Sequence, residues 1–406
     1  MSALESLLQL KSTGAINAED LLAVVSDRDS ETAVKSLIVD QSIANACVQR
    51  GTIADAIQLL QKLDRSPKQL IVDMSGSAMP LSDLARLSDV CEPSVAVVVV
   101  GDRNDVDLYR SLLSAGVQDY LFKPLSVGLL QRALASRDPA AAVRTGRAVS
   151  FVGARGGVGT TTIAVSLARH LADVTHRRIA YVDLNFHGGA ANSMLGLTTN
   201  NGLTELLQNA QRVDAPLINR MLVPKSNHLL VLSSELPYDN DFVCRPGAVS
   251  ELINALKRHF HYVMLDLSGV AGSIAEEALD ASTSVYITSD RSVHAARETA
   301  RLLRFTEDRE SDPTISLLLN NPYEPVPGRV DPADFQRALG RASMYELPYE
   351  PKTLAAAENL GEPIAGGKPT PFTSAIVELA NTLTGRTETA RPLPWYARLV
   401  GNRSRT

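Results

Sequence analysis

Phe151-Val152-Gly153-Ala154-Arg155-Gly156-Gly157-Val158-Gly159-Thr160-Thr161-Thr162 is the stretch on which the reading of this 406-residue chain turns. The apolar run 148–152 leads into it and reads as a strand, and the amphipathic run 163–171 leaves it as a helix. Strand, glycine-rich loop and helix N-terminus together make an anion site, because free backbone N–H groups point inward and the helix dipole favours negative charge. Glycine belongs wherever the backbone must curl around a phosphate with no Cβ in the way. Thr161 is placed to ligate a phosphate-bound Mg²⁺.

The stretch departs twice from the phosphate-loop pattern G-x-x-x-x-G-K-[ST]. Ala154 stands at the first glycine and Thr160 at the lysine. The second change removes the cation that reaches the β- and γ-phosphates. A hydrogen bond to a charged group contributes about 1.5–3 kcal/mol, so ATP affinity falls about tenfold to a hundredfold unless something compensates. Arg155, just before Gly156 and Gly157, is the candidate compensator. The bland alternative, a ligand-free glycine turn, is disfavoured by the matching strand and helix on either side.

Length implies two or three domains. The composition, 45% hydrophobic and 21% charged, is that of a globular protein, and the formal net charge of -5 argues against general nucleic-acid binding. Cys47, Cys91 and Cys244 lie far apart and read as buried small apolar residues of a reducing compartment. Residues 1–20 lack the form of a secretory signal, and runs such as 95–100 are too short to span a bilayer. A cytoplasmic chain is expected.

The order of elements predicts an α/β protein with two doubly wound parallel-sheet domains. Residues 1–20 form a leader. Across 21–135, strands near 21–25, 44–48, 69–72, 95–100 and 119–122 alternate with helices, the pattern of parallel strands and right-handed crossovers. Residues 136–147 (SRDPAAAVRTGR) read as an exposed linker. Across 148–385 the alternation resumes, with strands near 179–183, 229–232, 262–266, 284–288, 315–319 and 344–347. Ligands on such sheets bind at the carboxyl ends of the strands, where Asp183, Asn185, His187, Asp266 and Asn320 fall. His187 reads as a solvated loop residue. Residues 386–406 form a tail whose RPLPWYARLVGNRSRT segment is basic and amphipathic, suited to anionic lipid but also to an ordinary frayed end.

The first unit resembles a response-regulator receiver domain, flavodoxin-like in fold. Asp73 ends the third strand where such domains carry the phospho-accepting carboxylate, and Lys123-Pro124 follows the fifth. The acidic pair is reduced to Ser26-Asp27, and Gly101 replaces the expected hydroxyl. Asp27, Asp73 and Lys123 are therefore expected to form a pseudo-site in a docking module, since phosphoryl transfer needs clustered carboxylates to hold Mg²⁺.

The order of loop, Asp183, Asp266, Asn320 and Pro348 is similar to that of the MinD/ParA superfamily of dimeric P-loop ATPases. This resemblance implies ATP and Mg²⁺ as cofactors, with Arg155, Gly156, Gly157, Val158, Gly159, Thr160, Thr161 and Thr162 around the phosphates. It implies Asp266 and Thr161 at the metal, Asn320 and Pro348 at the adenine, and Asp183 with Asn185 at the catalytic positions. It also places Arg155 where these ATPases carry a lysine that reaches the partner's nucleotide. Because Asn185 is an amide where the family has an acid, slow hydrolysis is expected.

A degenerate receiver followed by a MinD/ParA-like unit resembles the CpaE/TadZ family of Tad (Flp, type IVb) pilus assembly proteins. Residues 347–352, residues 361–364 and the start of the loop also look like that family. The resemblance implies a homodimer that binds other pilus assembly and secretion components and sits peripherally at the inner membrane, often at a pole; nucleic-acid contact is not expected, on the ground of the net charge. Two competing readings stay open: an active partition ATPase and a signalling receiver with an output domain. Arg297, Arg301 and Arg304 share a helix with Glu298 and Glu307, which favours a solvated face over a DNA-binding one.

Overall fold

The computed structural model describes residues 18–63, 65–135, 144–240, 242–320, 328–340, 343–348, 350–361 and 369–385. The leader up to residue 17, linker residues 136–143, Tyr349, the segment 362–368 and the tail from 386 onward lie outside them.

Five strands, β1 (Leu21–Val25), β2 (Ala46–Arg50), β3 (Gln69–Asp73), β4 (Ala96–Gly101) and β5 (Asp119–Phe122), form a parallel sheet in the order β2-β1-β3-β4-β5. This is the doubly wound, flavodoxin-like order. The chain reverses direction across β1, so helices cover both faces. Helices α1 (Arg28–Gln41) and α5 (Val127–Ala135) lie on one face, and α2 (Ile53–Lys62), α3 (Pro80–Ser88) and α4 (Val106–Ser114) on the other. Strand periodicity decides which residue meets which layer: Leu21, Ala23 and Val25 enter one core, Leu22 and Val24 the other. With both faces covered, a near-continuous apolar strand results.

The second sheet has eight strands. They are β6 (Arg147–Gly153), β7 (Ile179–Asp183), β8 (Val223–Pro224), β9 (Leu229–Leu232), β10 (Tyr262–Asp266), β11 (Ser284–Ser289), β12 (Thr314–Asn320) and β13 (Ser343–Leu347), in the order β13-β12-β11-β6-β10-β7-β9-β8. Among the described strands of this sheet, only β8 runs antiparallel. Strand β6 sits between β10 and β11 and feeds α6 (Thr160–Asp173), whose Ile163, Leu167 and Leu171 pack on Val149 and Phe151 of that strand's face. Helix α15 (Pro371–Thr384) shares this layer, while α10 (Ala248–Lys257) and α12 (Val293–Glu307) help to cover the opposite face.

Three expectations change. Helices α7 (Ala191–Leu195), α9 (Ala215–Met221) and α11 (Ser273–Asp280) fill stretches with no expected element. The end of the presumed exposed linker is partly built into the fold. Arg147 is already paired with Tyr262 in the sheet, and Gly146 is buried where a Cβ would stand 1.8 Å from the Phe260 carbonyl oxygen. Cys91 is buried, but Cys47 and Cys244 are only half-buried; burial raises all three thiols above their usual range. Among the described residues no helix is long and apolar enough to cross a membrane.

Candidate functional site

The loop after β6 lies at the carboxyl edge of the sheet and adopts a phosphate-cradling course. Gly157 and Gly159 have φ of +73° and +95°, a region that favours glycine. At Gly159 a Cβ would also stand 2.5 Å from Asn320 Nδ2. The loop is anchored on its strand side, where the Ala154 N–H donates to the Thr288 carbonyl at 2.9 Å. It is anchored again at its crown, where Asn320 Nδ2 donates to the Val158 carbonyl at 2.8 Å. The N–H groups of Gly157, Val158 and Gly159 take no partner among the described residues. Thr160 opens α6, buried, with its Oγ1 also unpartnered. Unmet donors beneath a helix N-terminus suit a phosphate.

Thr161 and Asp266 are brought together through a residue that the sequence reading missed. Thr161 Oγ1 donates to Ser268 Oγ at 3.1 Å, and Ser268 Oγ donates to Asp266 Oδ1 at 2.5 Å. Tyr181 donates its hydroxyl to Asp266 Oδ2 at 2.7 Å. A hydroxyl beside a carboxylate is a hard-oxygen pair that fits Mg²⁺, which takes few protein ligands and draws the rest from phosphate and water. Among the described residues no three His, Cys, Asp or Glu side chains converge.

Asp183 is in register with Asp266 on the neighbouring strand and is almost fully buried. Burial first, and then the Asp266 carboxylate, push the Asp183 carboxyl well above its usual range. It accepts from the N–H groups of Asn185 at 3.1 Å and Ala191 at 3.4 Å. Asn185 has different work from that expected at a catalytic position. Its Nδ2 donates to the Ser268 carbonyl at 2.9 Å, and its Oδ1 accepts from the N–H groups of His187 and Gly188. Both ends of the amide thus knit the loop after β7 to the loop after β10. An aspartate there would set a carboxylate against the Ser268 carbonyl. His187 is a half-buried loop residue, its Nε2 2.9 Å from the Asn240 carbonyl oxygen.

Arg155 does not stand free over the loop. Its Nε and Nη2 both bind Asp290 Oδ2, the former at 3.0 Å, and Nη1 donates to the Gly156 carbonyl. Burial raises the Asp290 pKa, but hydrogen bonds from Arg155 and Ser292 outweigh it and hold that carboxyl below its usual range. A cleft of about 250 Å³ opens beside the loop, with Gly157, Gly159, Asn320, Leu354 and Phe372 in its wall. Pro351, on α14 (Pro351–Leu360), lines it; Pro348, half-buried after β13, is not part of that wall.

The pseudo-site of the first sheet is assembled and closed. Lys123 Nζ lies 2.6 Å from Asp73 Oδ2 and 2.6 Å from Asp27 Oδ2, and 2.9 Å from Ser26 Oγ. Ser26 donates to Asp73 through both N and Oγ, at 2.9 and 2.6 Å. Burial works against ionisation of both acids, yet Lys123 and the neighbouring serines prevail, holding Asp73 low and Asp27 at about 2. Tyr120 packs over Gly101: a Cβ there would stand 2.3 Å from Tyr120 Oη, so a larger residue would require the tyrosine to shift.

Residues 146–316 match the family model described as an AAA domain. A curated relative, the chromosome-partitioning ATPase Soj of Thermus thermophilus, is 29% identical over 258 residues, covering 60% of this chain and 98% of that protein. Among solved structures, a ParA family ATPase from Chlorobium tepidum aligns at 20% identity with a TM-score of 0.54, covering 59% of this chain and 99% of the other. The second sheet and its helices therefore have the fold of ParA-type P-loop ATPases. A pilus assembly protein CpaE from Caulobacter crescentus is 30% identical over 28% of this chain and 95% of its own; its TM-score of 0.27 decides nothing about fold.

Proposed function

We propose that this chain binds ATP with Mg²⁺, that binding joins two copies, and that the dimer positions the Tad/Flp pilus assembly machinery in the manner of the CpaE/TadZ family. The observation that carries the nucleotide reading is the open phosphate loop, with three unmet N–H donors and the Thr161–Ser268–Asp266 oxygens beside it. Gly156 to Thr162 would receive the phosphates, with Thr161 and Asp266 at the metal. Bound Mg²⁺ would neutralise charge on the β- and γ-phosphates. Asn320 is committed to the loop, so the apolar wall formed by Leu354 and Phe372 is the better seat for a base than Pro348.

Turnover is slow in this reading. Thr160 brings no charge, and the Asn185 amide is committed to two loops and cannot take up a proton. The pilus assignment rests on the pairing of a receiver-like unit, its pocket closed by Lys123, with a ParA-type unit. Peripheral membrane contact at a pole belongs to the same proposal.

Labelled ATP binding and turnover on the purified full chain, beside Thr160→Lys, test the nucleotide reading. Wild type binds ATP in a Mg²⁺-dependent way with very low turnover, and Thr160→Lys binds about tenfold more tightly. Hydrolysis at the rate of ordinary MinD-type enzymes would refute the slow-turnover reading. The kinship with Soj favours a second reading, an active partition ATPase, which salt-sensitive retention on duplex DNA would support. Against it, Arg301 is paired with Glu298 and Arg304 Nε donates to the Ala300 carbonyl.

A further inference from the structure

At the amino edge of the second sheet, opposite the phosphate loop, a cleft of about 310 Å³ opens against the first unit. Asp89, Arg144, Thr145, Arg147, Arg177 and His261 lie in its wall. Both units contribute: Asp89 follows α3, whereas Arg147 begins β6, Arg177 lies two residues before β7 and His261 immediately precedes β10.

The charges in this cleft do not balance. The Arg177 side chain is 2% exposed, with Nη2 2.6 Å from Asp89 Oδ1, but its Nη1 is buried with no hydrogen-bond partner among the described residues. Arg144 Nη2 donates to the Cys91 carbonyl at 2.9 Å, a neutral acceptor that leaves its charge unanswered. Arg147 is exposed. His261 adds no charge: burial, with Arg177 and Arg144 close by, drives its pKa down to about 3, and its Nδ1 accepts from the Arg178 N–H. The adjacent Arg178 is spoken for by Glu92 at 2.7 Å. Among the described residues, three guanidinium groups thus face one carboxylate. A buried cation with an unused donor is costly unless an anion meets it, and arginine forks match phosphate oxygens.

We propose that this cleft is a second anion site, which takes a compact phosphorylated small molecule between Arg144, Arg147 and Arg177 and so ties the two units together. It is separate from the nucleotide loop. Strand β6 runs from Arg147 at this cleft to Gly153 at that loop, seven residues, and at about 3.3 Å per residue its ends stand roughly 20 Å apart.

Calorimetric titration of the full chain with inorganic pyrophosphate, and in a second arm with AMP, tests the assignment. Two variants accompany wild type: Arg147→Gln, at an exposed side chain whose backbone alone serves the sheet, and Gly159→Ala, which spoils the phosphate loop. Saturable binding of either probe should persist in Gly159→Ala and weaken about tenfold or more in Arg147→Gln. Tighter pyrophosphate binding would identify a free diphosphate as the natural class, and tighter AMP binding a nucleoside phosphate. No saturable binding of either probe would overturn the site, as would binding indifferent to Arg147→Gln or binding abolished by Gly159→Ala.

Discussion

The carboxyl edges of the two sheets carry the same kind of material and end in opposite conditions. On the first sheet, a lysine sits among Asp27, Asp73 and Ser26 and consumes the polar groups that a metal and phosphoryl group would use. On the second, the lysine position is threonine, and the loop is left with unmet N–H groups. A resident cation closes a site made of acids, while the lack of one leaves a site made of amides open. Which residue carries the charge decides availability more than the fold does.

The largest expected effect breaks the open member of the pair. Gly159→Ala puts a Cβ at positive φ against Asn320 and should lower ATP affinity about a hundredfold or more, read by displacement of a fluorescent nucleotide. Unfolding of the first unit should not change.

The next opens the closed member. Lys123→Ala leaves Asp73 buried beside Asp27 without its counter-charge and should destabilise the first unit by roughly 2–3 kcal/mol in urea at neutral pH. Both acids have folded pKa values below their unfolded ones, so the lysine's contribution is present above about pH 4 and lost as pH falls toward 2. The gap between wild type and variant should therefore narrow in acid.

The third effect is smaller and has the opposite pH sign. The Asp183 pKa is raised on folding, so ionisation in its buried place costs stability as pH climbs above the unfolded value. Asp183→Asn should stabilise the second unit by about 1–2 kcal/mol at pH 8, with almost no gain near pH 4, as followed by thermal unfolding. Equal gains at both pH values would mean that the carboxyl is not under this strain. Smallest of all, Arg155→Ala should weaken ATP-dependent dimerisation severalfold, and Asp73→Ala should leave it unchanged; sedimentation velocity distinguishes the two.

Much of this was legible in the residues. Strands β3, β7, β10 and β12 are apolar runs ending in Asp73, Asp183, Asp266 and Asn320, and each parallel sheet brings such ends to one edge. The helices that went unseen are short: α7 has five residues and α11 eight, with little room for a period to show. Ser268 and Tyr181 escaped because hydroxyls two positions from Asp266 and Asp183 carry no mark until β7 and β10 are set side by side. Asp290 had a readable signal, an acid just beyond a strand adjacent to β6, but its claim on Arg155 is a matter of three dimensions. The spacing of Asn185 marks it as a doubtful catalytic residue; in the structure its amide serves the loops.

The bond network where the halves meet has a practical corollary for anyone wishing to dissect them. Cutting the chain in two would strip Arg178 of Glu92 and Arg177 of Asp89, so each fragment would inherit a charge buried for a companion it no longer has. Solubility tags and fluorescent reporters belong at the outer termini, because near Gly146 there is no space even for a methyl group.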